Sequence, residues 1–157
     1  MAAEWWFYHI ERGELVSAVA PLLEKCLERR WRVVVAGNPE TLERLDVALW
    51  TWRDDGFLPH ALAGARSAGP AAAQPILLAP EADPVNGARI AMLLDGTEAD
   101  GDRFDRCLVV FDGGDQTARS RARDQYRAAA ARGVLARYFQ QDSGGGWVEK
   151  AQSKQPG

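Results

Sequence analysis

Four small or β-branched residues in a row, Val33-Val34-Val35-Ala36, closed by Gly37 and followed by Asn38-Pro39, constrain this chain more than any other stretch. Apolar residues without a polar alternate suit a strand covered on both faces. Asn38 can accept a hydrogen bond from a free amide of the next turn, and Pro39 fits the first helical position, where no backbone donor is needed. A helix is therefore predicted to start there. Leu42, Leu45, Ala48, Leu49 and Trp52 recur at spacings of three and four, while Glu40, Glu43, Arg44 and Asp46 lie mainly off that stripe. Asp54-Asp55-Gly56 ends the helix with turn chemistry, and Phe57, Leu58 and Pro59 form an extended apolar piece with His60 just beyond. Such a piece needs cover, from its own domain or from another protein.

The rest of the chain repeats the alternation. Trp5 to Ile10 reads as a first strand. Leu15, Ala18, Val19, Leu22, Leu23, Cys26 and Leu27 mark a helix in which Pro21 either makes a kink or moves the start to near Ala20. After an exposed small-residue loop between Gly64 and Pro75 come short strands at Ile76–Ala79, Arg89–Leu94 and Arg106–Phe111. The acidic piece from Asp95 to Asp105 reads as a solvated loop or short helix. A last helix spans about Gln116 to Arg132, stopped by Gly133, and Val134–Phe139 is expected as a final edge strand. Short apolar strands alternating with amphipathic helices favour an α/β fold: one three-layer domain with a mainly parallel central sheet flanked by helices. It is Rossmann-like in outline, without a nucleotide-binding glycine loop. Residues 1–142 are expected to form this domain and 143–157 a flexible C-terminal tail, with Trp147 docking back.

With 157 residues, 46% hydrophobic and 26% charged, the chain has the composition of a single soluble domain. No apolar run is long enough to cross a bilayer and no basic region precedes an apolar core at the N-terminus, so a cytoplasmic location and no membrane partner are expected. Cys26 and Cys107 are far apart, outside any CxxC, and read as reduced core residues rather than metal ligands. The formal charge of -3 argues against generic nucleic-acid binding by the whole surface.

Charge is unevenly placed, however. From Thr117 to Tyr138 six arginines stand against the single acid Asp124, a local charge of +5. Arg119, Arg123, Tyr126 and Arg127 fall at i, i+4, i+7 and i+8, which puts three guanidiniums and a phenol on one helix face, with Ala118, Ala122 and Ala129 opposite. Such a face receives carboxylates through forked hydrogen bonds, the ring supplying an apolar wall. On composition alone it also reads as a solvated basic helix. Trp50, Trp52 and Phe57 form a second candidate surface, although tryptophans at helical spacing are more often core.

At these residues the chain resembles the chi subunit of bacterial DNA polymerase III. LDVALWTWRDDGFLPHALAG is similar to that family's signature, an RLDxALW helix followed by F-x-P-H and a small-residue loop; the likeness extends from WWFYHI to RARDQYR. The resemblance implies a non-catalytic accessory subunit without cofactor. It implies that the last helix captures the acidic, phenylalanine-ended C-terminal tail of single-stranded DNA-binding protein, so that single-stranded DNA is reached only indirectly. Arg123, Tyr126 and Arg127 match the family's RxxY(K/R) pattern, and Arg119 stands where a lysine or arginine is usual. It further implies that Trp50 and Phe57 meet the psi subunit of the clamp-loader complex. The loop Asp112–Asp115 departs from the bulkier segment expected there.

Enzymatic readings have less support. His9 and His60 lack a neighbouring nucleophile pattern, the acids from Asp95 to Asp105 lack the spacing of a calcium loop, and neither GxGxxG nor a Walker lysine follows any strand. The alternative from a different class is a small nucleotide-dependent or hydrolytic α/β enzyme using the strand ends around Gly37 and Asp112. Direct single-strand binding by the arginine helix ranks lower, because one helix offers no row of aromatic platforms.

Overall fold

The computed structural model describes residues 3–52, 58–64 and 70–153. Among them, strands β1 (Glu4–Ile10), β2 (Val33–Ala36), β3 (Ala61–Leu62), β4 (Ile76–Ala79), β5 (Ile90–Leu93), β6 (Arg106–Asp112), β7 (Ala136–Gln141) and β8 (Trp147–Gln152) join one sheet. Its order is β3-β4-β2-β5-β6-β1-β7-β8, and every described pairing is parallel except that of β7 with β8. Helices α1 (Leu15–Glu28) and α2 (Pro39–Trp50) cover one face and α3 (Gln116–Ala131) the other. The expected three-layer α/β architecture is observed.

Alternation along the strands builds the two cores. Val33, Val35, Ile90, Met92, Leu108 and Val110 point toward α1 and α2, where Leu23, Leu42, Leu45 and Leu49 meet them. Val34, Ala36, Leu93, Cys107, Val109 and Phe111 point the other way, toward Ala122 and Ala129 of α3. These alanines let the helix approach the sheet closely, and all four residues of β2 are fully buried.

Several expectations are corrected. Of the two alternatives for α1, the later start near Ala20 is the one overturned: the helix runs from Leu15 with Pro21 inside it, and although the proline forgoes one backbone bond, the stripe of Val19, Leu22, Leu23 and Cys26 is buried against the sheet and outweighs that loss. Asn38 occupies the N-cap of α2 without a side-chain cap bond. Its backbone amide instead donates to Asp95 Oδ2 at 2.8 Å. The two segments meet so closely that a Cβ on Gly37 would lie 2.9 Å from the same carboxylate oxygen.

The strand after α3 is not an edge. It begins at Ala136, lies between β1 and β8, and the segment expected as a flexible tail from residue 143 supplies the antiparallel β8. Trp147 anchors that strand edge-on against Tyr8, with ring centroids 5.1 Å apart. The two-residue β3, on the opposite margin, is an element the sequence reading did not include. The turn expected at Asp54-Asp55-Gly56 and the contact residue Phe57 lie outside the described residues.

Candidate functional site

Helix α3 is held by its own ends and by the sheet. Asp115 caps its start, the carboxylate accepting from the amides of Thr117 at 3.0 Å and Ala118 at 3.2 Å. Gly133, with φ of +76°, ends the helical segment. Because Ala122, Gln125 and Ala129 are buried, the phase of the helix is fixed, and Arg123 and Arg127 must face outward. Tyr126 lies half-buried between the two sides. Its ring meets Phe7 at 5.6 Å and Tyr138 at 6.4 Å, and Phe111 stands 6.0 Å from Tyr138.

Between α3 and the β7–β8 margin the Tyr126 and Tyr138 rings floor an open groove of about 400 Å³, lined also by His9, Arg123, Arg127 and Gln140. Ala151 of β8 completes the far wall. Three of the four residues expected on the ridge thus line one cavity. Arg119, one turn earlier, does not line it, but its charge and that of Arg123 act on His9 and Tyr138. Among the described residues Arg123 has no ion pair, and Arg127 has only Asp124, at 3.8 Å and open to solvent. Such a pair contributes little.

Sequence reasoning missed His9 and Tyr138 as parts of this groove. Period-two alternation from Trp5 through Phe7 places His9 on the α3 face, and the same count from Ala136 places Tyr138 there. His9 Nδ1 lies 2.7 Å from the Tyr138 hydroxyl, and Nε2 lies 2.9 Å from Glu11 Oε1. With Nε2–H donating to the carboxylate, Nδ1 accepts from the phenol. Burial pushes the His9 pKa below its ordinary value, Arg119 and Arg123 push the same way, and Glu11 and Asp112 oppose them. Burial likewise raises the pKa of Tyr126 and Tyr138, so both phenols stay protonated at neutral pH.

Of the second candidate surface, Trp50 and Trp52 are described and differ in their surroundings. Trp50 is 54% exposed, its ring 4.6 Å from that of His60, and Val47 one turn earlier is 65% exposed. Trp52 instead packs against the α1–α2 core and donates from Nε1 to Glu24 Oε1 at 3.1 Å. His60 is buried in a structural role: Nδ1 lies 2.7 Å from the Leu58 carbonyl and Nε2 3.0 Å from Asp46 Oδ1, which ties the segment after α2 back onto that helix. Among the described residues no group of three or more His, Cys, Asp or Glu side chains is arranged to hold a metal ion, and no helix is long and apolar enough to cross a membrane.

The fold and groove define a class: a one-domain α/β scaffold with a groove lined by arginines and aromatic rings between α3 and the sheet margin. Residues 2–137 match the family described as DNA polymerase III chi subunit, HolC, and the chain belongs to that family. It is accordingly an accessory subunit of the polymerase III assembly, acting in DNA replication. No curated protein matches the chain closely enough to add to this.

Proposed function

We propose that this subunit is a non-catalytic cytoplasmic adaptor, holding the acidic C-terminal tail of single-stranded DNA-binding protein in the α3 groove and the psi subunit at the end of α2. The carrying observation is the solvent-open pair Arg123 and Arg127 above the Tyr126–Tyr138 floor. Carboxylates of an acidic tail pair with the guanidiniums, and a terminal aromatic ring rests on the phenols. Docking orders a disordered segment, which lowers affinity, and the charge-led contact weakens with salt. Exposed Trp50 and Val47 offer psi an apolar patch beside His60.

Titration of a labelled peptide ending in an acidic run and phenylalanine tests the reading. Loss of one charge-assisted contact at an exposed site corresponds to about 1–1.5 kcal/mol, so Arg123→Ala is expected to weaken binding about fivefold to tenfold. Unchanged binding by that variant overturns the site.

A further inference from the structure

The end of the sheet where the parallel strands begin carries a different feature, which the tail groove does not use. Trp6 of β1 lies between two guanidiniums, Arg106 of β6 at 3.9 Å and Arg137 of β7 at 4.4 Å from the ring centroid. Arg106 also approaches Trp31, just ahead of β2, at 5.6 Å, and that ring is flanked by Arg29 at 5.1 Å and Arg89 at 5.8 Å. Arginines and indoles are thus interleaved across the row β7-β1-β6-β5-β2, in the order Arg137, Trp6, Arg106, Arg89 and Trp31. With neighbouring strands about 4.8 Å apart, the row extends roughly 20 Å. Beside it opens a groove of about 710 Å³, with Glu4, Trp31, Arg89, Asp105 and Arg106 in its wall.

We propose that this row is a direct binding surface for single-stranded nucleic acid, separate from the tail groove. Two of its cations are already neutralised, Arg89 by Asp105 at 2.6 Å and Arg137 by Glu149. Arg29 and Arg106 have no carboxylate partner among the described residues and remain for phosphates. Stacking fixes the guanidinium planes while leaving N–H edges open, so little freedom is lost on binding. The guanidinium planes that the half-buried Trp31 ring supports offer bases an outer π surface. Glu4 and the second oxygen of Asp105 are acceptors for exocyclic amino groups of bases, hydrogen bonds that the carboxylates of an acidic peptide cannot donate. Duplex is excluded because its base faces are closed within the stack. The tail groove lies toward the other end of β1, at His9, so both sites can be filled together.

The test is fluorescence anisotropy of the full chain with a labelled mixed-sequence oligodeoxynucleotide, in the absence of other proteins. Saturable binding is expected at low salt, with quenching of tryptophan emission and a slope of log K against log salt near about −1.4 for two phosphate contacts. Trp31→Ala is expected to weaken it about tenfold and Arg29→Gln about threefold. Arg29 is exposed, so its variant keeps the melting temperature and decides the matter if Trp31→Ala is poorly folded. No saturable binding, binding indifferent to both substitutions, or equal displacement by polyglutamate would overturn the proposal. Failure of the acidic-peptide titration would leave it standing, since the residues are different.

Discussion

Substituting Gly113 by alanine probes how the floor of the α3 groove is assembled. Gly113 follows β6 and lies against the His9 ring; its backbone conformation is one that alanine adopts without strain, so any cost is steric. A Cβ there would sit 2.7 Å from His9 Cε1 and closer still to Nε2 and Cδ2. The imidazole must leave. It is 8% exposed, tied to the Tyr138 hydroxyl at 2.7 Å and packed on Phe111 at 5.3 Å. Losing the Tyr138 bond costs about 1 kcal/mol. The Glu11 carboxylate is itself exposed and finds water once the bond to His9 is lost, so that bond adds little. Overpacking of the ring adds about 1–3 kcal/mol. The sum, about 2–4 kcal/mol, corresponds to a fall in melting temperature of roughly 5–15 °C for a chain of this size. Urea denaturation of the single variants and of the double variant with His9→Ala closes the cycle: with the ring removed, Gly113→Ala should cost less than about 1 kcal/mol. A Gly113→Ala protein within about 0.5 kcal/mol of the parent, or an equal cost in the His9→Ala background, would refute the reasoning.

Three further outcomes are expected. His9 is held below its ordinary pKa in the folded state, so the unfolded chain binds more protons in the window between the two values; stability should fall as pH drops below about 6.5, and His9→Gln should flatten that part of a urea-midpoint profile against pH. Asp115→Ala removes the two cap bonds of α3 and should lower stability by about 1 kcal/mol in chemical denaturation. Burial pushes the Cys107 thiol up to about 12 and raises that of Cys26, so neither should react with a thiol reagent at neutral pH until denaturant is added.

The parts legible in the sequence are those whose signal is local. Val33–Ala36 announces a strand covered on both faces, and Ala122 and Ala129 set the phase of α3 and hence the outward direction of Arg123 and Arg127. Trp50 stands off the stripe of Leu42, Leu45 and Leu49 and Trp52 falls on it, a difference lost when the two are grouped as one candidate surface. The missed elements depend on distant partners. The sequence WVEKAQ of β8 has little apolar pattern beyond Trp147; it becomes a strand because β7 leaves an open margin and Tyr8 receives the indole. Asn38 is a good capping residue by type, but the arrival of Asp95 from 57 positions along gives its amide another partner. The arginine–tryptophan row is not legible because its members come from five strand starts and a helix end, and only the parallel pairing brings them into line.

Placement of α2 and α3 on opposite faces of one sheet has a mechanical consequence. Partners seated on each would pull against one another through the thickness of the domain, across two layers of interlocked side chains and not along a single hydrogen-bonded seam that could unzip. A moving assembly could thus tug on both sides of this small body at once, and the closely packed interior would share the load.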